Sequence, residues 1–184
     1  ESTTAHYVHA LDLDNDGDID IFTSIDNGVV WSLNDGSQNF TSTTYNTDNT
    51  DRSFPIDIDK DGDYDFFSGK GWYENNGSQN FTFRSVLNVV AKDFYGIDID
   101  NDNDVDGIFS YNDNVILLKN DGSQNFSLDT LYTFDVGALG GDIVDLSFAD
   151  IDGDGLVDIF PQRSTTIPTY LKNKGGNVFS FNFF

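Results

Sequence analysis

The chain has 184 residues and a mass of 20.5 kDa, enough for one ordinary domain, and its 38% apolar and 15% aromatic content excludes a disordered polar chain. Acids outnumber bases 32 to 9, for a net charge of −23, which excludes nucleic acid as a partner because phosphate binding needs clustered Lys and Arg. Cysteine is absent, which removes disulfides, thiolate metal sites and a thiol nucleophile, and no apolar run approaches the roughly 18 residues of a membrane span.

Taken in chain order, Tyr7–Leu11 reads as a strand and runs into the acidic stretch Asp12-Leu13-Asp14-Asn15-Asp16-Gly17-Asp18-Ile19-Asp20. Ile19-Asp20-Ile21-Phe22 is strand-like again. Leu33-Asn34-Asp35-Gly36-Ser37-Gln38-Asn39-Phe40 follows, and Asn/Asp-Gly between apolar runs is a hairpin signal, since those residues accept positive φ. The same order then repeats. Strand Ser53–Ile58 overlaps the stretch 57–65, strands Tyr64–Ser68 and Gly71–Asn75 come next, and a hairpin at 74–81 leads to strand Phe81–Val86. A third copy has strand Phe94–Ile97, acids at 98–106 and a hairpin at 119–126; a fourth has strand Val144–Ala149, acids at 150–158 and a decayed hairpin at 172–179. The chain closes on Val178-Phe179-Ser180-Phe181-Asn182-Phe183-Phe184, uncharged and alternating in aromatics, which is expected as the outer strand of the last repeat, with pairing to a neighbouring molecule as the alternative.

More than half of the acids fall in the four acidic stretches DLDNDGDID, DIDKDGDYD, DIDNDNDVD and DIDGDGLVD. So many carboxylates in nine residues repel one another unless a cation sits among them. Asp recurs at positions 1, 3, 5 and 9, with Gly at 6 in three copies and Asn103 in the other; Asn visits the left-handed region cheaply. Alternating hard oxygen donors followed by a tight turn suit Ca²⁺, which takes 6–8 of them. The expected ligands are Asp12, Asp14, Asp16 and Asp20; Asp57, Asp59, Asp61 and Asp65; Asp98, Asp100, Asp102 and Asp106; and Asp150, Asp152, Asp154 and Asp158. Position 7 (Asp18, Asp63, Asp104 and Leu156) would add its backbone carbonyl, which explains why Leu is tolerated there. An EF-hand is excluded, because its closing Glu stands at 12 and helices flank its loop. About four Ca²⁺ per chain are expected.

Acidic stretches recurring every 41 to 52 residues point to a propeller or an array, and four short strands per repeat make one blade. The expected fold is all-β: four tandem four-stranded antiparallel blades of β-propeller type, as a single repeat domain over 1–184 with repeats at 1–46, 47–88, 89–133 and 134–184. The order of Asp loop, apolar strand, second strand, Asn-Asp-Gly turn and Phe resembles the FG-GAP/VCBS repeat of integrin-like calcium-binding propellers, over essentially the whole chain. That resemblance implies one Ca²⁺ per loop and an extracellular, non-catalytic role in adhesion, ligand binding or assembly. Such propellers usually carry more blades than four. The chain is therefore a closed four-blade ring, part of a larger propeller, or a subunit completed by its neighbours.

Trp31 and Trp72 share one place in the repeat, filled by Leu117 and Tyr170 in the others; Leu there favours blade packing over a sugar-stacking platform. Phe40, Phe81, Phe126 and Phe179 are expected in the core. His6 and His9 lack an accompanying nucleophile in the sequence, so no enzymatic activity is expected. Asn39, Asn76, Asn80 and Asn125 stand in candidate N-glycosylation acceptor triplets. Methionine is absent even at position 1, so the chain is expected to be a processed or trimmed piece with any signal peptide out of view. Secretion, with a glycan or protein ligand, is the leading expectation. The alternatives are a structural subunit assembling into an extracellular fibre or surface layer, and an accessory domain of a secreted polysaccharide-active enzyme.

Overall fold

The computed structural model describes residues 4–47, 52–91, 93–134, 143–164 and 168–183. The chain is all-β, built as four tandem four-stranded antiparallel blades. The first sheet is β1 (Ala5–Leu11), β2 (Asp20–Ile25), β3 (Gly28–Asn34) and β4 (Phe40–Asn46); the second is β5 (Phe54–Ile56), β6 (Asp65–Ser68), β7 (Gly71–Asn75) and β8 (Phe81–Ser85). The third is β9 (Phe94–Ile97), β10 (Asp106–Tyr111), β11 (Asn114–Asn120) and β12 (Phe126–Thr133); the fourth is β13 (Ile143–Ala149), β14 (Asp158–Arg163), β15 (Thr169–Asn173) and β16 (Phe179–Phe183). Each is a simple meander with spatial order equal to chain order. The fold divides into two compact units, 1–96 and 97–184. Among the described residues no helix is long and apolar enough to cross a membrane.

The expected strands are recovered to within a few residues at their ends, and turn chemistry explains the register. Between β10 and β11, Asn112 and Asp113 stand at φ 45° and 61° with Tyr111 opposite Asn114, the two-residue primed turn whose twist matches the strands. In a meander the loop from first to second strand and the hairpin from third to fourth leave the same end of the blade. Every Asp stretch is thereby set beside its own blade's Asn-Gly hairpin.

In the first unit the core is aromatic. Phe22, Trp31 and Phe66 are buried together with Leu13 and Val29, and Phe22 meets Trp31 edge-on at 5.5 Å while Phe66 stacks on Tyr73 at 4.7 Å. Such pairs contribute about 0.5–1.5 kcal/mol each beyond the area they bury. Trp31 and Trp72 are 1% and 2% exposed, so both are packing residues; a ring so enclosed has no face left for a sugar. In the second unit Phe181 stacks on Tyr132 at 5.3 Å and meets Phe134 edge-on.

The recurrent Phe departs from expectation in one blade. Phe81 packs on Trp31 at 5.0 Å, and Phe126 and Phe179 are half-buried, but Phe40 is 46% exposed. Phe81 is covered by Trp31 and Tyr45 of the first blade, whereas Phe40 is left exposed. The closing segment pairs along β15, from Asn173 opposite Phe179 to Thr169 opposite Phe183, so it is the outer strand of the last blade; Phe184 lies outside the described residues.

Candidate metal centres

The four acidic stretches lie at 12–20, 57–65, 98–106 and 150–158, each leading into the second strand of its blade. All four curl the same way. Position 4 takes positive φ (Asn15 60°, Lys60 63°, Asn101 60°, Gly153 75°), and so does position 6 (Gly17 96°, Gly62 97°, Asn103 69°, Gly155 86°). Position 6 was legible as Gly or Asn. Position 4 was not, because Lys60 gives no hint of a left-handed backbone.

The first Asp of each stretch ties the curl by accepting backbone N–H groups from the residues around position 6. Asp12 accepts from Asp16 (3.0 Å) and Gly17 (2.9 Å), Asp57 from Gly62 (3.1 Å), Asp98 from Asp102 (3.2 Å) and Asn103 (3.0 Å), and Asp150 from Gly153, Asp154 and Gly155. Those donors, Gly155 foremost, hold the Asp150 carboxyl below the usual carboxylate range. The fifth position caps the seventh: Asp16, Asp61, Asp102 and Asp154 accept the N–H of Asp18, Asp63, Asp104 and Leu156 at 2.9–3.0 Å.

The ninth position does something sequence reasoning missed. Asp20, Asp65, Asp106 and Asp158 are fully buried at the start of the second strand, and each spans two backbones. One oxygen accepts the N–H of Leu13, Ile58, Ile99 or Ile151 at 2.7–3.4 Å, inside the same loop. The other accepts the N–H of Asn34, Asn75, Asn120 or Asn173 at 2.7–2.8 Å, on the hairpin. The asparagine amide then donates back to the carbonyl of Ile19, Tyr64, Val105 or Val157. Asp and Asn form a staple between loop and hairpin, and the signal was the Asn present in all four hairpin copies. Burial pushes the carboxyls of Asp65 and Asp106 up to about 7.

Side-chain oxygens converge within 4.8 Å in four groups: Asp12, Asp14 and Asp20; Asp57, Asp59 and Asp61; Asp98, Asp100 and Asp106; Asp150, Asp152 and Asp158. Asp16, Asp65, Asp102 and Asp154, expected with them, lie in the same curls but outside these tightest groups. Within the groups, Asp14 Oδ1, Asp57 Oδ1 and Asp100 Oδ1 are buried without a hydrogen-bond partner. Burial first, then the neighbouring carboxylates, raises Asp14; burial likewise raises Asp59. Position 7 points elsewhere. A β-carbon placed on the hairpin glycines Gly36, Gly77 and Gly122 would lie 2.4, 2.7 and 2.4 Å from the carboxylates of Asp18, Asp63 and Asp104, and one on Gly175 would lie 3.8 Å from Leu156. These side chains face the hairpin.

Adjacent loops are linked within each unit: Asn15 donates to the Gly62 carbonyl at 2.9 Å in the first, Asn101 to the Gly155 carbonyl at 3.1 Å in the second. Two lysines enter the second unit's loops, Lys119 bonding Asp100 and Lys172 bonding Asp152. The histidines lie apart, His6 on Asp26 at 2.7 Å and His9 edge-on to Phe54 at 5.0 Å. Asn39, Asn76, Asn80 and Asn125 are all exposed on the hairpins; the amides of Asn39 and Asn125 donate to Asp35 and Asp121.

No family model matches the chain, and no curated protein matches it. Among solved structures it is similar to a lectin of Agrocybe aegerita, described for its specific recognition of non-reducing terminal N-acetylglucosamine, at 24% identity and a TM-score of 0.65. The match covers 98% of this chain and 52% of that one, so the chain spans about half the length of the lectin structure. At that identity the likeness establishes the fold.

Proposed function

We propose that this chain is a calcium-stabilised, non-catalytic propeller module that recognises a ligand outside the cell, a glycan first among the candidates. The observation that carries the calcium reading is the set of buried carboxylate oxygens, Asp14 Oδ1, Asp57 Oδ1 and Asp100 Oδ1, each without a partner inside a convergent acidic group. A buried carboxylate oxygen left without a donor costs about 1–3 kcal/mol or more, and a hard divalent cation is its natural complement. The donors fit: they are oxygens, they converge, and a carboxylate has about four lone-pair positions, so the closing Asp keeps capacity after accepting two N–H groups. Asp12, Asp14, Asp16 and Asp20 would hold the ion in the first loop, with the corresponding residues of the FG-GAP/VCBS-like pattern in the other three. A bound Ca²⁺ supplies charge neutralisation. The residues themselves curl each loop and staple it to the hairpin, which gives that end of the blade a rigid surface.

Recognition is supported by the fold shared with a lectin described for recognising non-reducing terminal N-acetylglucosamine. Titration calorimetry on EGTA-stripped protein, followed by circular dichroism, tests the calcium reading: about four Ca²⁺ per chain with a gain in melting temperature is expected. No uptake with the fold intact would refute it. A glycan array including N-acetylglucosamine-terminated chains, probed with the calcium-loaded protein, tests recognition, and a blank array removes the glycan assignment.

A further inference from the structure

The four loops share a pattern, but the hairpin presents a different residue to each. The position before the hairpin asparagine is Leu33, Glu74, Lys119 and Lys172 in turn. Leu33 packs against the aromatic core, and Glu74 accepts from Arg84 Nε at 2.9 Å. Lys119 and Lys172 lie over their own Asp loops. Lys119 Nζ bonds Asp100 and reaches Asp102 at 3.3 Å; Lys172 Nζ bonds Asp152 and reaches Asp154 at 3.4 Å. The Asp100 side chain is only 9% exposed, and its second oxygen is one of the buried atoms without a partner. The ammonium groups therefore occupy the third- and fifth-position carboxylates that the calcium reading assigns to the metal.

We propose that Lys119 and Lys172 are built-in competitors of the divalent cation. They hold the third and fourth loops together when calcium is scarce and make those loops weaker calcium sites than the first. This rests on the calcium reading above. An ammonium and a divalent cation repel at the contact distances that both need on one carboxylate, so each lowers the other's affinity there. Affinity in oxygen-ligand sites follows the charge the ligands present, and one lysine cancels one carboxylate. The first loop has Leu33 where these lysines stand, so its carboxylates keep their full charge against the ion.

The test is calcium titration calorimetry on EGTA-stripped wild-type chain, on the double variant Lys119→Leu/Lys172→Leu, which copies Leu33, and on Lys119→Gln/Lys172→Gln, which keeps the stem length should the leucines misfold. The wild type is expected to show a tighter and a weaker class of site, and the weaker class should tighten at least about tenfold in the variants. In chelator, where no metal contributes, the variants should melt below wild type, because they have lost the ammonium groups that pair with Asp100 and Asp152. A single class of site that the substitutions leave unchanged overturns the competition, and so does loss of uptake in the variants. No uptake by wild type overturns the calcium reading itself.

Discussion

Within one loop, Asp20 and Asp14 separate two jobs that the repeat pattern makes look alike. Asp20, itself fully buried, accepts the N–H of Leu13 and of Asn34, both at 2.7 Å, the first bond buried and the second partly buried. Asp20→Ala leaves one buried and one partly buried donor without an acceptor, at up to about 1–3 kcal/mol each, or about 2–6 kcal/mol together as an upper range. At roughly 2–4 °C per kcal/mol for a chain of this size, the melting temperature should fall by at least about 4 °C. Asp14 instead has a buried oxygen with no partner, among like charges. Asp14→Ala in chelator should therefore be neutral within about 1 kcal/mol, or stabilising, since it relieves the repulsion from neighbouring carboxylates at the loss of one hydrogen bond from the Asp16 N–H. In saturating calcium the order changes, and Asp14→Ala should also melt well below wild type while binding about one Ca²⁺ fewer. Differential scanning calorimetry of both variants, with EGTA and with calcium, reads all four values. The division of labour is wrong if, in chelator, Asp20→Ala melts with wild type or Asp14→Ala falls as far as Asp20→Ala.

Other expectations follow from the same geometry. Asp18→Ala should leave calcium stoichiometry unchanged in calorimetry, because that side chain faces Gly36 and not the convergent carboxylates. Gly36→Ala meets both a φ of +75° and the Asp18 carboxylate, whereas Gly17→Ala at φ +96° meets only the backbone strain of about 1–2 kcal/mol. Urea denaturation should rank Gly36→Ala as the costlier, with the excess vanishing in an Asp18→Ala background. Trp31→Ala empties the centre of an aromatic cluster and should cost about 3–5 kcal/mol in the same assay, without the selective loss of glycan binding that a stacking platform would show. The hydrogen bond from His6 holds the Asp26 carboxyl below its usual range. A lowered carboxyl contributes stability above its unfolded pKa of about 3.9 and loses it as the pH falls. The gap in melting temperature between wild type and Asp26→Asn should accordingly narrow from about pH 6 to about pH 3.

Much of the site was legible because it is local. Asp at positions 1, 3 and 5 can converge only if the chain curls at once, and Gly17, Gly62 and Gly155 advertise that curl within a few residues. The hairpins announce themselves in the same way, through Gly36, Gly77, Gly122 and Gly175 at positive φ. What was missed is long-range. The closing Asp was expected only as a ligand, yet its partner Asn stands 10 to 15 residues downstream, across the second and third strands. Lys119 bonds a carboxylate 19 residues before it. Phe40 carries the same motif as Phe81, yet Phe81 packs on Trp31 and Tyr45 while Phe40 is exposed, a difference set by what the fold places against each ring.

The sequence by itself determined the all-β class, the four repeats, the loop positions and the hairpin turns. Each depends on nearest-neighbour chemistry: alternation of apolar residues along a strand, carboxylate repulsion within nine residues, and the few residue types that accept a left-handed backbone. Only the tertiary structure decided which of the ligand candidates also act as staples, which aromatics are core, and which loops already hold a cation of their own. Those outcomes turn on what burial does to a charge and on which side chain the meander carries to the same end of a blade, and neither is written in the residues of any single loop.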